Sequence, residues 1–460
     1  MGDNKVPRRA FMARAGAVVG SAAMGGCAVE RGRPADPCTS ATRPRLAQTE
    51  VLVVGGGPAG IGAALGAARQ GARVLLIENY GFCGGMGAWG LGMQLNQMRP
   101  EGRPRSSLHE RLLDRLQAYG PMAVRVHDHQ FLCNVDYLKV AILDCLAEAG
   151  CQVLVHLRAV DSLVQAGRVT GVVVATKSGL MRIEAQVTVD CTGDADVASF
   201  AGAETLKETS GLSPQTLLLN LINAPLEGAD ASKIRMDLAK AKYPLIPASW
   251  FLNQVSNCHF SFINHAGTRE MGVFDVTDPL QFSDAECRSR RQVLQLVAAL
   301  REFGGERLAN AELCGTSPQI GIRESRRVKG LYVLTEEDAM KGARFEDVVA
   351  WRTGYLDIGF VRFDQMKVHQ VPYRALVPER LDGLLTAGRC LSASHAAASA
   401  GKSMGNCVAT GHAAGIAAAL AVRQGRQPRD IQVAQIQDRL RQDGVDLSKG
   451  GEDQAQTMPA

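Results

Sequence analysis

Gly55, Gly57 and Gly60 stand at the spacing Gly-x-Gly-x-x-Gly between the apolar run Val51–Val54 and an alanine-rich stretch, and a second apolar run ends in the acid Glu78. Each position suits a step in holding a dinucleotide. Gly55 permits a tight turn after a strand, and Gly57 lets backbone N–H groups approach a pyrophosphate. Gly60 lets the following helix sit close on the sheet with the positive end of its dipole toward the phosphates. Glu78 is placed to accept hydrogen bonds from ribose hydroxyls. Glycines alone could mark a structural turn in an unrelated α/β protein. Strand, glycines, helix, strand and acid in register point instead to a dinucleotide site.

Other elements must carry this unit. Amphipathic helices are expected at Ser107–Ala118 and Val135–Ala149. Val153–Leu157, Ala159–Gln165, Arg168–Thr176 and Met181–Asp190 read as a strand followed by a β-meander, the last strand delivering Cys191-Thr192-Gly193-Asp194-Ala195-Asp196. From Leu212 to His369 strand-like segments (Thr216–Ile222, Glu270–Val276) mix with a helix, Ala285–Glu302, whose Val293, Leu296, Val297 and Leu300 share a face. Leu384–Arg389 then reads as a buried strand ending in a glycine turn, followed by a long Ala/Gly-rich helix over Asn406–Gln424. This order predicts an α/β fold: a Rossmann-like domain with a β-meander, discontinuous in sequence, and an inserted α+β substrate or cap domain. The expected boundaries are 49–211 and 370–430 for the two parts of the nucleotide domain, 212–369 for the cap, and 431–460 for a C-terminal helix and tail.

Residues 1–27 read as an export signal. Pro7-Arg8-Arg9-Ala10-Phe11-Met12 resembles the twin-arginine pattern, and the mildly apolar stretch Ala15–Gly26 is too short to span a bilayer. Met24-Gly25-Gly26-Cys27 resembles a loose lipobox, in which Cys27 would be acylated; an ordinary cleavage region with an incidental cysteine is the alternative. Residues 28–48, rich in Pro, Arg, Ser and Thr, read as a linker. The formal charge of +5 is concentrated at this end, where Lys5, Arg8, Arg9 and Arg14 face only Asp3 within residues 1–26. No basic run follows, which argues against nucleic acid as a partner. Apolar residues make up 46% of the chain, enough for a large core. The 12 cysteines are scattered without a CxxC pair, and a protein folded before export would keep them as thiols.

Periodicity does not separate NAD from FAD. Three features favour FAD: the lack of a further Gly-x-Gly-x-x-Gly about a hundred residues on, where a paired NAD(P)H domain would show one, the Cys-Thr-Gly-Asp that ends the meander, and Leu384-Leu385-Thr386-Ala387-Gly388-Arg389-Cys390, which is similar to a late flavin-binding strand. Gly84-Gly85-Met86, Thr192–Asp196, Pro318–Arg327, Val333–Asp338, Val371-Pro372-Tyr373-Arg374 and Ala387–Cys390 together resemble the FAD-dependent oxidoreductase family of the glutathione-reductase-like flavoproteins. The resemblance covers Thr49 to Gly425 and implies noncovalent FAD and redox chemistry. By position, it implies that Gly55, Gly57, Pro58, Ala59, Gly60, Glu78 and Asn79 hold the ADP half. Gly84, Gly85 and Met86 would follow the pyrophosphate and flavin edge, and Thr192, Gly193 and Asp194 would also bind the cofactor. Val160 would meet the adenine through its backbone, and Gly388 and Arg389 would contact the ribityl and phosphate region. The helix start Met404-Gly405-Asn406 would turn N–H groups toward the flavin pyrimidine edge, which favours its reduction.

Hydride transfer at flavin N5 also calls for a cation to fix an oxyanion and a group to move a proton. Arg323 and Arg326, with Arg327 beside them, are candidates for the first, with surface or Glu324-paired arginines as the alternative. His395 is the candidate for the second, with a structural histidine as the alternative; Tyr373 is a lesser one. Lys402 stands where the family tends to carry arginine, and Gly405 where it tends to carry proline. Other motifs fail. Gly401-Lys402-Ser403 ends like a Walker A loop, but Ala396 replaces the earlier glycine. His127-Asp128-His129 lacks a third metal ligand, so no metal site is expected. Cys83 lacks the second cysteine of a disulfide reductase, and no Gly-x-Ser-x-Gly elbow is present. The chain therefore reads as an exported FAD-dependent oxidoreductase, periplasmic or lipid-anchored. It would move hydride between the flavin and a small organic substrate and exchange electrons with an unidentified acceptor or donor. A reductase of activated double bonds, similar to fumarate-reductase flavoproteins, and a flavin-bearing electron-transfer subunit are the alternatives.

Overall fold

The structure is a computed structural model. It describes residues 40–450 apart from 92–93, 214, 225–235, 245, 247–249, 255–260, 266–273 and 359–361. The signal, Cys27, most of the linker and the last ten residues of the tail lie outside the described residues.

The run Val51–Val54 is buried at every position because both faces of its strand are covered, as a parallel strand with layers on each side must be. β1 (Arg45–Val54) pairs in parallel with β2 (Val74–Ile77), Val51 facing Val74 and Val54 facing Ile77. β2 pairs in parallel with β3 (Gln152–Leu154). The meander follows: β4 (Arg158–Gln165), β5 (Arg168–Thr176) and β6 (Gly179–Asp190), antiparallel in turn. β6 serves two ends. Its first half carries β5, while its length runs parallel to β1 and its last three residues, Thr188–Asp190, take up β13 (Leu384–Thr386) in parallel. A strand some two hundred residues downstream thus completes the sheet that β1 began, so the domain is discontinuous.

α1 (Pro58–Arg69) crosses α6 (Met404–Gln424) at backbone contact. A Cβ on Gly62 or Gly66 would strike the carbonyl oxygens of Val408 and His412 at 2.3 and 2.6 Å, and one on Gly411 or Gly415 would strike those of Ala59 and Ala63 at 1.9 and 2.0 Å. The Ala/Gly richness of both helices is the sequence form of that crossing. α6 begins at Met404, two residues before the expected Asn406. α2 (Ser107–Ala118) and α3 (Val135–Glu148) cover the same face, capped by the Ser106 and Asn134 side chains.

The insert has its own core. β7 (Leu219–Ile222), β8 (Trp250–Gln254), β9 (Ser261–His265) and β10 (Glu312–Thr316) form an antiparallel sheet ordered β8-β9-β7-β10. Val293, Leu296, Val297 and Leu300 of α4 (Pro279–Phe303) pack with Leu217, Leu219 and Leu221. α4 starts six residues before the expected Ala285, because the Asp278 carboxylate accepts the N–H groups of Leu280 and Gln281 and Pro279 stands at the first helical position. Thr216 is not part of β7. It forms an isolated bridge to Gly321, a contact that matters below. Residues 270–273 of the strand expected at Glu270–Val276 lie outside the described residues, and Phe274–Val276 are irregular. The chain returns to the nucleotide domain through β11 (Val348–Arg352), β12 (His369–Pro372), β13, α5 (His395–Gly401) and α6, and ends in α7 (Val433–Gln442).

Candidate active site

A cleft of about 800 Å³ begins at the turn after β1 and ends under the insert. At its first end the walls are backbone. Gly55 has φ of 101°, and a Cβ there would meet the Cys191 carbonyl oxygen at 2.6 Å. Gly57 differs: a Cβ there would find nothing nearer than the Gly85 Cα at 3.9 Å, because Gly57 faces open cleft. Gly57 is the N-cap of α1 and Pro58 its first residue, so the next N–H groups point unpaired toward that space. Glu78 is 7% exposed, and both of its oxygens are engaged. The Gly56 N–H donates to Oε2 at 2.6 Å and the Tyr80 N–H to Oε1 at 2.8 Å, which fixes the carboxylate while leaving acceptor capacity for ribose hydroxyls. Burial pushes its pKa up, opposed by these backbone bonds. Cys83 packs behind Gly56 and is fully buried; burial pushes its thiol up to about 12, so it is inert.

The middle of the cleft is a side-chain lattice around the loop that β6 delivers. Asp190, fully buried, accepts from the Thr192 N–H and hydroxyl and from the Ala198 N–H, closing the loop. Arg389 lies over Gly193 and donates to Asp194 at 2.7 Å and to Ser325 at 3.3 Å. Arg326 donates to the Asp194 carbonyl oxygen at 2.9 Å and Ser199 at 2.8 Å and pairs with Asp196. Arg327 is held by the Ala393 carbonyl oxygen and Glu208. Arg326 and Arg327 therefore tie the insert's return strand to the nucleotide domain and do not line the cleft. Arg323 alone of the three does, donating to the Thr216 hydroxyl at 3.3 Å.

The far end gathers Thr216, Leu218, Gln319 and Arg323 from the insert, and Tyr355, Lys402 and Met404 from the return. Gly321 comes so close to Met86 that a Cβ would meet its methyl at 2.1 Å, which is how the insert seats on the nucleotide domain. Gln94, Asn96, Gln97, His129 and Gln130 complete this end. His129 sits in a two-residue hairpin turn between strands Val124–His127 and Gln130–Cys133, with Asp128 at φ 53°. The Asp128 carboxylate lies 2.6 Å from His129 Nδ1, leaving Nε2 as the other working nitrogen.

Several expected contacts are displaced. His395 does not line the cleft; its Nδ1 forms an ion pair at 2.7 Å with Glu324, whose other oxygen accepts from the Ser213 N–H. The contact with Glu324 holds His395 above the ordinary histidine value against the effect of burial. Tyr373 is 3% exposed and its hydroxyl donates to the Pro428 carbonyl oxygen at 2.7 Å, a packing role. At the start of α6 the Gly405 N–H is taken by the Asn96 carbonyl oxygen at 2.9 Å, and Gly405 is glycine because the Gln97 backbone lies on it. Asn406 is buried and turned away, accepting from Arg105 and donating to the Thr353 carbonyl oxygen. Of that helix start, Met404 is the residue that lines the cleft. Gly60 packs against the Gly55 carbonyl oxygen, Gly388 against Ala59 and Gly84 against Ala88, so these glycines shape the walls from behind. Leu157, just before the first meander strand, and Arg158 and Ala159 on it reach the cleft, and Val160 does not. Gly55, Gly57, Pro58, Ala59, Glu78, Asn79, Gly85, Met86, Thr192, Gly193, Asp194, Arg389 and Lys402 all line it. The nine cysteines among the described residues are free thiols. No group of three His, Cys, Asp or Glu side chains among the described residues is arranged for a metal.

A family model described as FAD dependent oxidoreductase matches residues 50–440. Thiamine thiazole synthase of Aeropyrum pernix is 32% identical over 179 residues, 36% of this chain and 63% of that protein. The Methanococcus aeolicus enzyme is 30% identical over 160 residues, 33% and 57% respectively. The chain thus spans roughly three-fifths of the length of these curated relatives. Among solved structures, a geranylgeranyl bacteriochlorophyll reductase-like protein of Thermoplasma acidophilum shares 14% identity with a TM-score of 0.47, covering 86% of this chain and 83% of its own. A p-nitrophenol 4-monooxygenase of Pseudomonas putida shares 12% with a TM-score of 0.45, covering 86% and 84%.

Proposed function

The chain belongs to the FAD dependent oxidoreductase family, an FAD-dependent enzyme by that membership, and from this premise we propose that it oxidises or reduces a small polar organic molecule under its insert. The observation that carries the reading is one continuous cleft with two different ends: backbone glycines and Glu78 at one, and Thr216, Arg323, Tyr355 and Lys402 at the other. FAD, when bound, supplies the two-electron acceptor or donor. Gly57, the start of α1 and Glu78 fit its ADP half, because Gly57 borders the room a phosphate needs and Glu78 is already fixed.

In this reading Arg323 and Lys402 bind and orient a carboxylate or developing oxyanion of the substrate. His129 moves the proton: Asp128 holds Nδ1, so Nε2 serves as base or acid toward the cleft. Thr216, Leu218 and Gly321–Arg323 roof the far end and exclude water. His395 acts at one remove, through Glu324, the residue after Arg323. A double-bond reductase of the fumarate-reductase kind would use a pair of arginines from the 323–327 segment, and Arg326 is committed to Asp196. The roofed end also favours a small-molecule pocket over a bare electron-transfer subunit. The thiamine thiazole synthase match spans a third of the chain and does not carry a substrate. Export follows the Arg8-Arg9 pattern; replacing both with lysine should keep the protein in the cytoplasm, read by fractionation.

The test is to purify the mature protein, confirm flavin absorbance and titrate small carboxylates, hydroxy acids and enones anaerobically. Bleaching or recolouring by one class supports the reading. A yellow protein that reacts with none of them but is reoxidised by a protein partner overturns it in favour of electron transfer.

A further inference from the structure

The far end of the cleft holds more than the cations and the histidine already described. Gln94, Asn96, Gln97, Gln130 and Gln319 bring five carboxamides to it. Four of them belong to one built unit. Leu95 forms an isolated antiparallel bridge with Phe131, its N–H donating at 2.9 Å and its carbonyl oxygen accepting at 3.2 Å. Leu95 is 4% exposed and Phe131 is fully buried, so this pair anchors the segment in the core. Their neighbours in sequence, Gln94 and Asn96 beside one and Gln130 beside the other, reach the cleft instead. An antiparallel pair imposes such alternation, and in this register Asn96 falls opposite Gln130, next to His129.

Gln97 ends the unit under strain. Its backbone has φ of 61°, a left-handed conformation that a glutamine keeps only where its surroundings hold it. Here they do. Arg105, 3% exposed, donates to the Gln97 carbonyl oxygen at 3.0 Å, and the Gly405 N–H donates to the Asn96 carbonyl oxygen at 2.9 Å. Gly405 leaves room for that backbone, since a Cβ there would come within 1.9 Å of the Gln97 carbonyl oxygen. Gly354, at φ 122°, leaves room for the side chain: a Cβ there would stand 3.4 Å from the Gln97 amide nitrogen. A residue held in a costly conformation from three directions marks a position whose side chain is used.

The donor set says what this end would bind. A carboxamide is neutral and both donates and accepts hydrogen bonds. An apolar or aromatic ligand would strip water from these amides and return nothing to them. A hydroxyl shares their double character. A hydroxyl-bearing carbon is also one that hydride can leave while a base takes the hydroxyl proton, and His129 directly precedes Gln130. Resting on the FAD-dependent substrate pocket described above, we propose that the substrate is a polyhydroxylated carboxylate, a molecule of the sugar-acid class. Its carboxylate lies toward Arg323 and Lys402, and its hydroxyls meet the carboxamides of Gln94, Asn96, Gln97 and Gln130. At the reacting carbon the C–H and O–H bonds break and a C=O bond forms; hydride passes to FAD and the proton to His129 Nε2. The cations read the charge, and the amides read the hydroxyls.

The experiment measures binding by calorimetry on the oxidised, FAD-loaded protein and then flavin bleaching without oxygen. The probes are gluconate, galactonate, glucuronate and galacturonate, with hexanoate as the acid that lacks hydroxyls and glucose as the hydroxylated molecule that lacks the charge. At least one of the four sugar acids should bind about tenfold or more tighter than hexanoate and glucose, and should bleach the flavin. Gln97→Gly, which removes the amide and relaxes the backbone, and Gln130→Met should each weaken that acid by about fivefold or more. Both should leave the weaker binding of hexanoate within about twofold and the FAD content unchanged. Arg323→Met should weaken both acids alike. Should one amide variant not fold, the other decides. Binding of none of the four sugar acids, or equal binding of hexanoate, overturns the proposal, as does loss of FAD from either amide variant, which would give the amides to the cofactor. In each of those cases an FAD-loaded wild-type protein bleached by another small molecule leaves the broader reading intact. Failure of the wild-type chain to take up FAD overturns both.

Discussion

The two ends of the cleft are built on opposite principles. At the nucleotide end, the contacts come from one short stretch, residues 55–85, and most are backbone: glycines that leave room, the start of α1, and a glutamate fixed by two N–H groups. At the far end, the groups come from residues near 94, 129, 216, 323, 355 and 402, and they are side chains. A ligand common to a whole family can be recognised by backbone shape, which tolerates little change. A substrate particular to one member is recognised by side chains, which can be exchanged without moving a strand. The difference implies that damage to the first end removes the cofactor, whereas damage to the second changes the reaction and leaves the cofactor bound.

The sharpest way to break this comparison is Gly57→Val. Gly57 has extended ψ and negative φ, and its Cβ direction is open, so the variant should fold. The isopropyl group would occupy the pyrophosphate space, and FAD retention should fall by about 10²-fold or more, read as a colourless protein with wild-type circular dichroism. Gly55→Val is its contrast: at φ 101° and against the Cys191 carbonyl it should fail to fold at all. At the other end, His129→Gln should lower the rate of flavin reduction by about 10²–10³-fold, with FAD content unchanged. Arg323→Met should cost about 10²-fold, mainly at the substrate step. Loss of FAD from either variant would erase the distinction between the ends. Glu78→Gln should be milder than Gly57→Val. It sets an amide donor against the Gly56 or Tyr80 N–H, a loss of about 1–3 kcal/mol that should appear as roughly tenfold or greater weakening of FAD binding.

The same contrast explains what could be read in advance. The nucleotide end is contiguous in sequence, so spacing carries it, and helices such as Ser107–Ala118 and the meander strands follow from short-range periodicity. Gly60, Gly84 and Gly388 stand at expected cofactor positions in the sequence but do not line the cleft; they work as spacers behind its wall, a difference visible only once the groups that lie on them are known. The far end depends on long-range contacts. Whether Arg323, Arg326 or Arg327 faces the cleft is decided by Asp194, Asp196 and Glu208, more than a hundred residues away. His129 was visible as part of a His-Asp-His pattern, and the signal missed was the turn: an aspartate at positive φ beside the histidine it holds.

The smallest expected effect concerns how the two ends respond to pH. Glu78 is fixed by backbone N–H groups, which do not titrate in the ordinary range. The insert's return is held in part by His395 and Glu324, which do. Glu324 holds His395 above its ordinary value, so protonated His395 stabilises the fold. That contribution is complete below the ordinary value of about 6.5 and is lost as pH rises through the raised folded value. Glu324 is held below its ordinary value: burial pushes it up, but His395 and the Ser213 N–H outweigh burial. Its contribution is present above the ordinary carboxylate value of about 4.3 and is lost as pH falls through the depressed one. The pair should therefore stabilise most between these limits. Asp196, raised to about 6 by burial and by Asp194 and Asp190, works opposite to Glu324 and in the same sense as His395, since its folded form binds a proton more tightly and gains stability as pH falls. That titration is common to wild type and His395→Gln, so their difference isolates the ion pair. From pH 6 to pH 8.5 the wild-type Tm should fall more steeply than that of His395→Gln, and the two should converge at the alkaline end. Parallel curves would mean that this pair contributes nothing to holding the insert's return.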